Sequence, residues 1–190
     1  MREASVECSM VDCPVAHPLD EFYARSGLGL PPIKRIAAPE VPEPYYGLLV
    51  HQNDMTSTLE NFHGAPVHLR VIGRERRNGS YFREVVLQLD GTDKPVEFGA
   101  IKINLDMFPA EARQRILQER HPLGRVLKDC AIAYQSRPQA YLRITSDATI
   151  NRLLNLREPQ ALFGRRNILF DAEGRTLAEI VEILPPAAKK

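Results

Sequence analysis

No stretch of this 190-residue chain is apolar for long enough to span a bilayer; runs such as Gly47-Leu48-Leu49-Val50 stop after a few residues, where a spanning helix needs about 20. The N-terminus carries Glu3, Glu7 and Asp12 without an apolar core of the signal-peptide kind. A cytoplasmic protein with no membrane insertion is therefore expected. Cysteine is scarce. Cys8, Cys13 and Cys130 are odd in number and widely spaced, which excludes a disulfide framework. Cys8, Cys13 and His17 stand at a C-x4-C-x3-H spacing that matches no common zinc module, so no metal is expected. Neither sign of charge dominates, with 25 basic against 24 acidic residues. No basic run is interleaved with aromatics, and a nucleic-acid partner is not expected. The chain also lacks a glycine-rich phosphate loop, an HExxH pair and a GxSxG elbow, which removes the usual routes to nucleotide binding, zinc hydrolysis and serine hydrolysis. There is no internal repeat.

What is present is an ordinary globular composition, 44% apolar and 26% charged, in a length that suits one domain. Seven of the fifteen prolines fall in residues 1–45. Proline removes backbone donors and favours extended chain. Residues 1–44 are accordingly read as an arm that wraps the domain or is partly loose, residues 45–186 as the domain, and residues 187–190 as a tail.

The stretch from Ser80 to Ile103 organises the rest. Side chains alternate along a strand, so Tyr81, Arg83, Val85, Leu87 and Leu89 share one face, and Phe82, Glu84, Val86 and Gln88 share the other. Arg83 is the one charge on the more apolar face. A guanidinium does not lose its proton, and burying it demands an anionic or strongly hydrogen-bonding partner. That partner is either an internal carboxylate, Glu97 or Glu179, or the carboxylate of a small ligand. Composition alone favours the internal pair.

Around this stretch the pattern predicts an α+β domain. Asn53 or Asp54 caps a helix through Leu59 and Phe62 that Gly64 stops. A strand over 66–77 turns at Asn78-Gly79 into the Arg83 strand, and a third runs from Val96 to Ile103. Pro109 opens a helix, and a shorter one follows Pro122-Leu123-Gly124. Strand-like alternation resumes over 131–144 with a bend at Ser136-Arg137-Pro138. Ser146 caps a short helix, and a hairpin of 162–170 and 176–184 closes the chain. The expectation is a single antiparallel sheet of about six strands with short helices on one face.

Four pieces in this order carry a resemblance: Asn53-Asp54-Met55-Thr56 before a helix, Phe82-Arg83-Glu84-Val85-Val86-Leu87 in a strand, Pro122-Leu123-Gly124-Arg125, and Phe163-Gly164-Arg165-Arg166 ahead of Val181-Glu182-Ile183-Leu184-Pro185. Together they resemble the chorismate pyruvate-lyase (4-hydroxybenzoate synthase) family over roughly residues 45–186. The resemblance implies a buried pocket between sheet and helical flaps, in which chorismate is split into 4-hydroxybenzoate and pyruvate without metal or organic cofactor. It places the pocket arginine on Arg83, the flap methionine on Met55 and the flap leucine on Leu123. The family's terminal-strand glutamate precedes the closing Leu-Pro by an apolar pair, in a pattern like Glu-Leu-Phe-Leu-Pro. At that spacing this chain has Val181, with Glu182 one place later and Glu179 two earlier. Glu182 is assigned because it keeps the run into Leu184-Pro185. Strict alternation sets it on the face opposite Val181, so a bulge or a shifted gap is expected. Glu179 stays open as the alternative. Arg83 and Glu182 are then the catalytic and substrate-binding pair, with Met55 and Leu123 as apolar walls.

The same residues have plainer readings. Met55 and Leu123 also suit core packing, Arg165 and Arg166 suit solvated hairpin charges, and His51, His63, His68 and His121 have no telling neighbour. The functional alternative to the lyase is a non-catalytic module for small aromatic carboxylates, since effector domains of some bacterial transcription regulators resemble chorismate lyase in fold. No helix-turn-helix is expected in the proline-rich arm.

Overall fold

A computed structural model of the chain describes residues 15–187. The expectations for Cys8 and Cys13 lie outside the described residues, as does most of the C-terminal tail. The fold grows from the Asn78-Gly79 turn. Both residues take positive φ, 48° and 75°, the geometry that closes a two-residue hairpin in step with strand twist. It joins β2 (Val67–Arg77) to β3 (Ser80–Leu89), and β4 (Pro95–Asn104) pairs along the other side of β3. The chain then leaves the sheet through α4 (Ala110–Leu117) and α5 (Leu123–Asp129). It returns as β5 (Gln135–Thr145), α6 (Ala148–Leu154), β6 (Ala161–Phe170) and β7 (Thr176–Leu184). Strand β7 closes on β4, all pairings are antiparallel, and with β1 (Ile33–Ile36) at one edge the order is β1-β5-β6-β7-β4-β3-β2.

Among the described residues the sheet thus has seven strands, one more than expected. The addition is β1 (Ile33–Ile36), which lies in the proline-rich segment and pairs with β5 from Ile33↔Ile144 to Ile36↔Tyr141. An edge position explains why prolines on both sides of Ile33–Ile36 do not forbid it, because one side of an edge strand needs no partner. The bend foreseen at Ser136–Pro138 is a register shift between Pro138 and Ala140 inside an unbroken β5. The α6 cap is Asp147, which accepts from Ile150 N at 2.8 Å, rather than Ser146, whose Oγ accepts from Gln160 N at 2.9 Å.

Helices cover both faces, where one face was expected. On the first face, α2 (Tyr45–Leu49), α3 (Met55–His63), α4 and α5 pack over Tyr81, Leu87 and Ile101. On the second, α1 (Leu19–Arg25) and α6 pack over Phe82, Val86 and Phe98. The cause is in β3 itself, where both alternating sets are apolar, so each face has surface to bury. Residues 15–44 take part in this packing through Leu19, Tyr23 and Val41, all buried. No described helix is long and apolar enough to cross a membrane.

Candidate functional site

Register across the three central strands decides which side chains meet. Arg83 pairs with Ile101, which pairs with Ile180; Val85 pairs with Gly99, which pairs with Glu182. Opposed residues in an antiparallel ladder share a face, so Arg83 and Glu182 both point to the side covered by α3 and α5. The β4–β7 pairing runs from Phe98↔Ile183 to Ile103↔Ala178 with no register shift. The bulge expected for Glu182 is therefore absent: plain alternation of Ala178, Ile180 and Glu182 brings the carboxylate to this face. Glu179 sits on the opposite face, where it accepts from Lys102 Nζ at 3.0 Å and Arg166 Nη2 at 3.1 Å.

Between the sheet and the starts of α3 and α5 lies a cleft with about 600 Å³ of empty space, its open mouth included. Met55, Arg83, Leu123 and Glu182 all line it, together with Glu97. Two close approaches hold its rim. Asp54 caps α3 by accepting from Ser57 N at 2.8 Å, and a Cβ on Gly124 would stand 2.7 Å from Asp54 Oδ1 and 3.0 Å from Thr56 Oγ1. The small residue after Leu123 is what lets the first turn of α5 rest on the first turn of α3. On the floor, Gly99 approaches β7 so closely that a Cβ would overlap the Val181 carbonyl oxygen.

Arg83 is only 2% exposed. Its Nε and Nη1 are buried without a hydrogen-bond partner among the described residues. Neither internal partner considered for it is engaged: Glu179 faces away, and Glu97 Oε2 is itself buried and unpartnered among the described residues. The groups that act on its charge are Tyr81 and Glu119, which are tied to each other through Tyr81 Oη donating to Glu119. Burial lowers the guanidinium to about 10, so it stays charged at neutral pH.

Glu182, 4% exposed, accepts from Nε of Arg165. The reading of Arg165 as a solvated hairpin charge is corrected here, since it is 0% exposed. Its Nη1 donates to the carbonyls of Leu49 at 3.2 Å and His51 at 3.1 Å, and Nη2 donates to that of Asn53 at 3.3 Å. One guanidinium thus orients the pocket carboxylate and ties down the segment that leads into Met55. The signal was available: alternation along β6 must send one of two adjacent arginines to each face of an internal strand, and Arg166 takes the Glu179 side. His51 completes this segment as a neutral ring. Its Nδ1 accepts from Asn53 N at 3.1 Å, so Nε2 carries the proton donated to Leu48 O at 2.7 Å. Burial first, and then Arg165, hold it below its ordinary value.

Glu97 was foreseen only as a partner for Arg83. It lines the cleft at 5% exposure. Burial, reinforced by the charge of Glu182, raises its carboxyl well above the ordinary range. That direction favours the protonated acid beside the paired Glu182 carboxylate. No group of three or more His, Cys, Asp or Glu placed to hold a metal ion occurs among the described residues.

No family model and no curated protein matches this chain. Among solved structures it is similar to PhnF from Mycobacterium smegmatis, with a TM-score of 0.55 at 12% identity over 90% of this chain and 94% of that one. The effector domain of PhnF alone gives 0.53 at 13% identity over 70% and 88% of the two chains. A gene product of Staphylococcus aureus, SA0254, gives 0.51 at 7% identity over 63% and 82%. At these identities the likeness is one of fold, and it agrees with the α+β architecture described above.

Proposed function

We propose that this protein binds a small ring compound through its carboxylate, in the cleft between the sheet and the starts of α3 and α5, with Arg83 as the anchor. The observation that carries the reading is a charged guanidinium, buried in a largely apolar cleft, with two nitrogens lacking partners among the described residues. A buried charged donor left unmatched costs several kcal/mol at most sites, and a ligand carboxylate can accept from its planar fork in two places at once. Met55 and Leu123 supply apolar walls for the faces of a ring. Glu182, oriented by Arg165, is placed to accept a hydrogen bond at the other end. The fold shared with the effector domain of PhnF fits a ligand-binding role without chemistry.

A second reading, cleavage of chorismate, is favoured by one specific observation: the four residues that the family resemblance singles out line this same cleft. In that reaction the ring C–O bond to the enolpyruvyl group breaks and the ring loses a hydrogen to become aromatic. The departing enolpyruvate takes up a proton and leaves as pyruvate. Holding the reactive conformer through Arg83, and supporting charge on the departing group, are the contributions such a cleft makes.

Calorimetric titration with 4-hydroxybenzoate tests the binding site. Wild type binds; Arg83→Ala abolishes binding with the fold intact, and Arg83→Lys retains only weak binding because the fork is lost. Wild-type affinity in the alanine variant would end the assignment. Incubation with chorismate, followed by chromatography, then separates the two readings, since only the lyase yields 4-hydroxybenzoate and pyruvate.

A further inference from the structure

Two carboxyl groups enter the cleft from neighbouring strands, Glu97 on β4 and Glu182 on β7, and one guanidinium serves them. That cation, Arg165, bonds Glu182 and spends its remaining donors on backbone carbonyls of residues 49–53. Glu97 Oε2 is buried with no partner among the described residues. Next to it Gly99 has no side chain, and a Cβ there would stand 3.5 Å from Glu97 Oε1. No cation bonds Glu97 among the described residues; burial and the Glu182 charge outweigh the pull of Arg165 and favour the protonated carboxyl. The far end of the cleft from Arg83 thus offers two different functions: an acceptor in Glu182 and an O–H donor in Glu97.

The position suits a ligand that also reaches Arg83. Glu97 pairs with Leu87 and Arg83 pairs with Ile101, four residues along the same ladder. That is about 13 Å of strand. Both residues line the cleft, so that span separates the Arg83 end of a bound ligand from its far end.

We propose that Glu97 is a specificity-determining hydrogen-bond donor, selecting ligands whose far end is a hydroxyl over those whose far end is an amine. A ring hydroxyl donates to Glu182 and accepts from Glu97, satisfying both. An aromatic amine donates to Glu182 equally well, but its lone pair is delocalised into the ring, and the Glu97 proton then goes unmatched. The inference rests on the carboxylate-site reading above and deepens it to hydroxy-substituted aromatic acids.

The test compares calorimetric titrations of 4-hydroxybenzoate and 4-aminobenzoate against wild type and Glu97→Met, whose side chain has similar length and no polar hydrogen. Wild type is expected to prefer the hydroxy acid by about tenfold, the worth of one buried hydrogen bond. Glu97→Met binds the two acids within about twofold, with the change confined to the hydroxy acid. Glu97→Ala takes its place if the methionine variant does not fold. Equal binding of both acids by wild type, or a preference unchanged in the variant, overturns the inference while the carboxylate site stands. Wild type binding neither acid overturns both together.

Discussion

Glu97 has a consequence for stability as well as for recognition. Its carboxyl is raised in the folded state above the ordinary 4.5 by burial and by Glu182, with Arg165 acting against them. A group whose folded value is raised contributes stability that is full below the unfolded value and is lost as pH rises through the folded one. Wild type therefore loses this contribution progressively above about pH 4.5, whereas Glu97→Gln has no proton to lose. Urea denaturation from pH 4.5 to 8 should show the variant gaining on wild type steadily as pH rises. Parallel stability curves would mean that Glu97 ionises normally. His51 runs the other way. Its ring is held below the ordinary histidine value, so its share of stability is present above about pH 6.5 and is lost on acidification through the folded value. Because the two effects oppose each other, the difference between wild type and Glu97→Gln is the informative quantity rather than either curve alone.

At the scale of elements, the rim of the cleft depends on two short helices that meet through their first turns. Neither carries enough exposed-helix stability to hold its place alone; helices this short are sustained by packing. Gly124→Ala puts a methyl group against Asp54 Oδ1 and Thr56 Oγ1, and something must give. The expected outcome is a shift of α5 away from α3, with ligand affinity falling about tenfold or more while the sheet core stays intact. Asp54→Ala instead removes the α3 cap, which costs about 1 kcal/mol, and relieves the crowding at position 124. The double variant is thus predicted to recover part of the affinity lost in Gly124→Ala. Titration of the three proteins with 4-hydroxybenzoate checks this, and strictly additive losses would show that the two helix starts do not press on one another.

For the whole molecule, the decisive feature is a sheet covered on both sides. Removing residues 1–36 deletes α1 and β1 together. It uncovers Phe82, Val86 and Phe98 on the second face and leaves β5 as a bare edge. A bare edge beside an apolar face invites association between chains. This truncation is expected to lose cooperative thermal unfolding and to aggregate, as read by scanning calorimetry and light scattering. A monomer with a wild-type transition would show that the chain from residue 37 onward suffices as the folding unit.

Alternation and turn chemistry made much of this legible from residues alone. Asn78-Gly79 set the central hairpin, Gly64 ended α3 with a φ of 66°, and the charge of Arg83 on an apolar face marked the cleft before any contact was known. Those signals are local, carried by neighbours within a few positions in the chain. What local pattern did not decide were the pairings between distant strands. Whether Arg83 met Glu97, Glu179 or neither depended on the β3–β4–β7 register. Whether Glu182 needed a bulge depended on the same ladder. Arg165 and Arg166 are identical in composition and adjacent in sequence, yet one is the buried support of Glu182 and the other pairs on the opposite face. Their difference comes from which face of β6 the α2–α3 segment covers. Side-chain periodicity says that two residues lie on opposite faces, but only the packed sheet says which face becomes the pocket, because that choice rests on contacts more than a hundred residues apart.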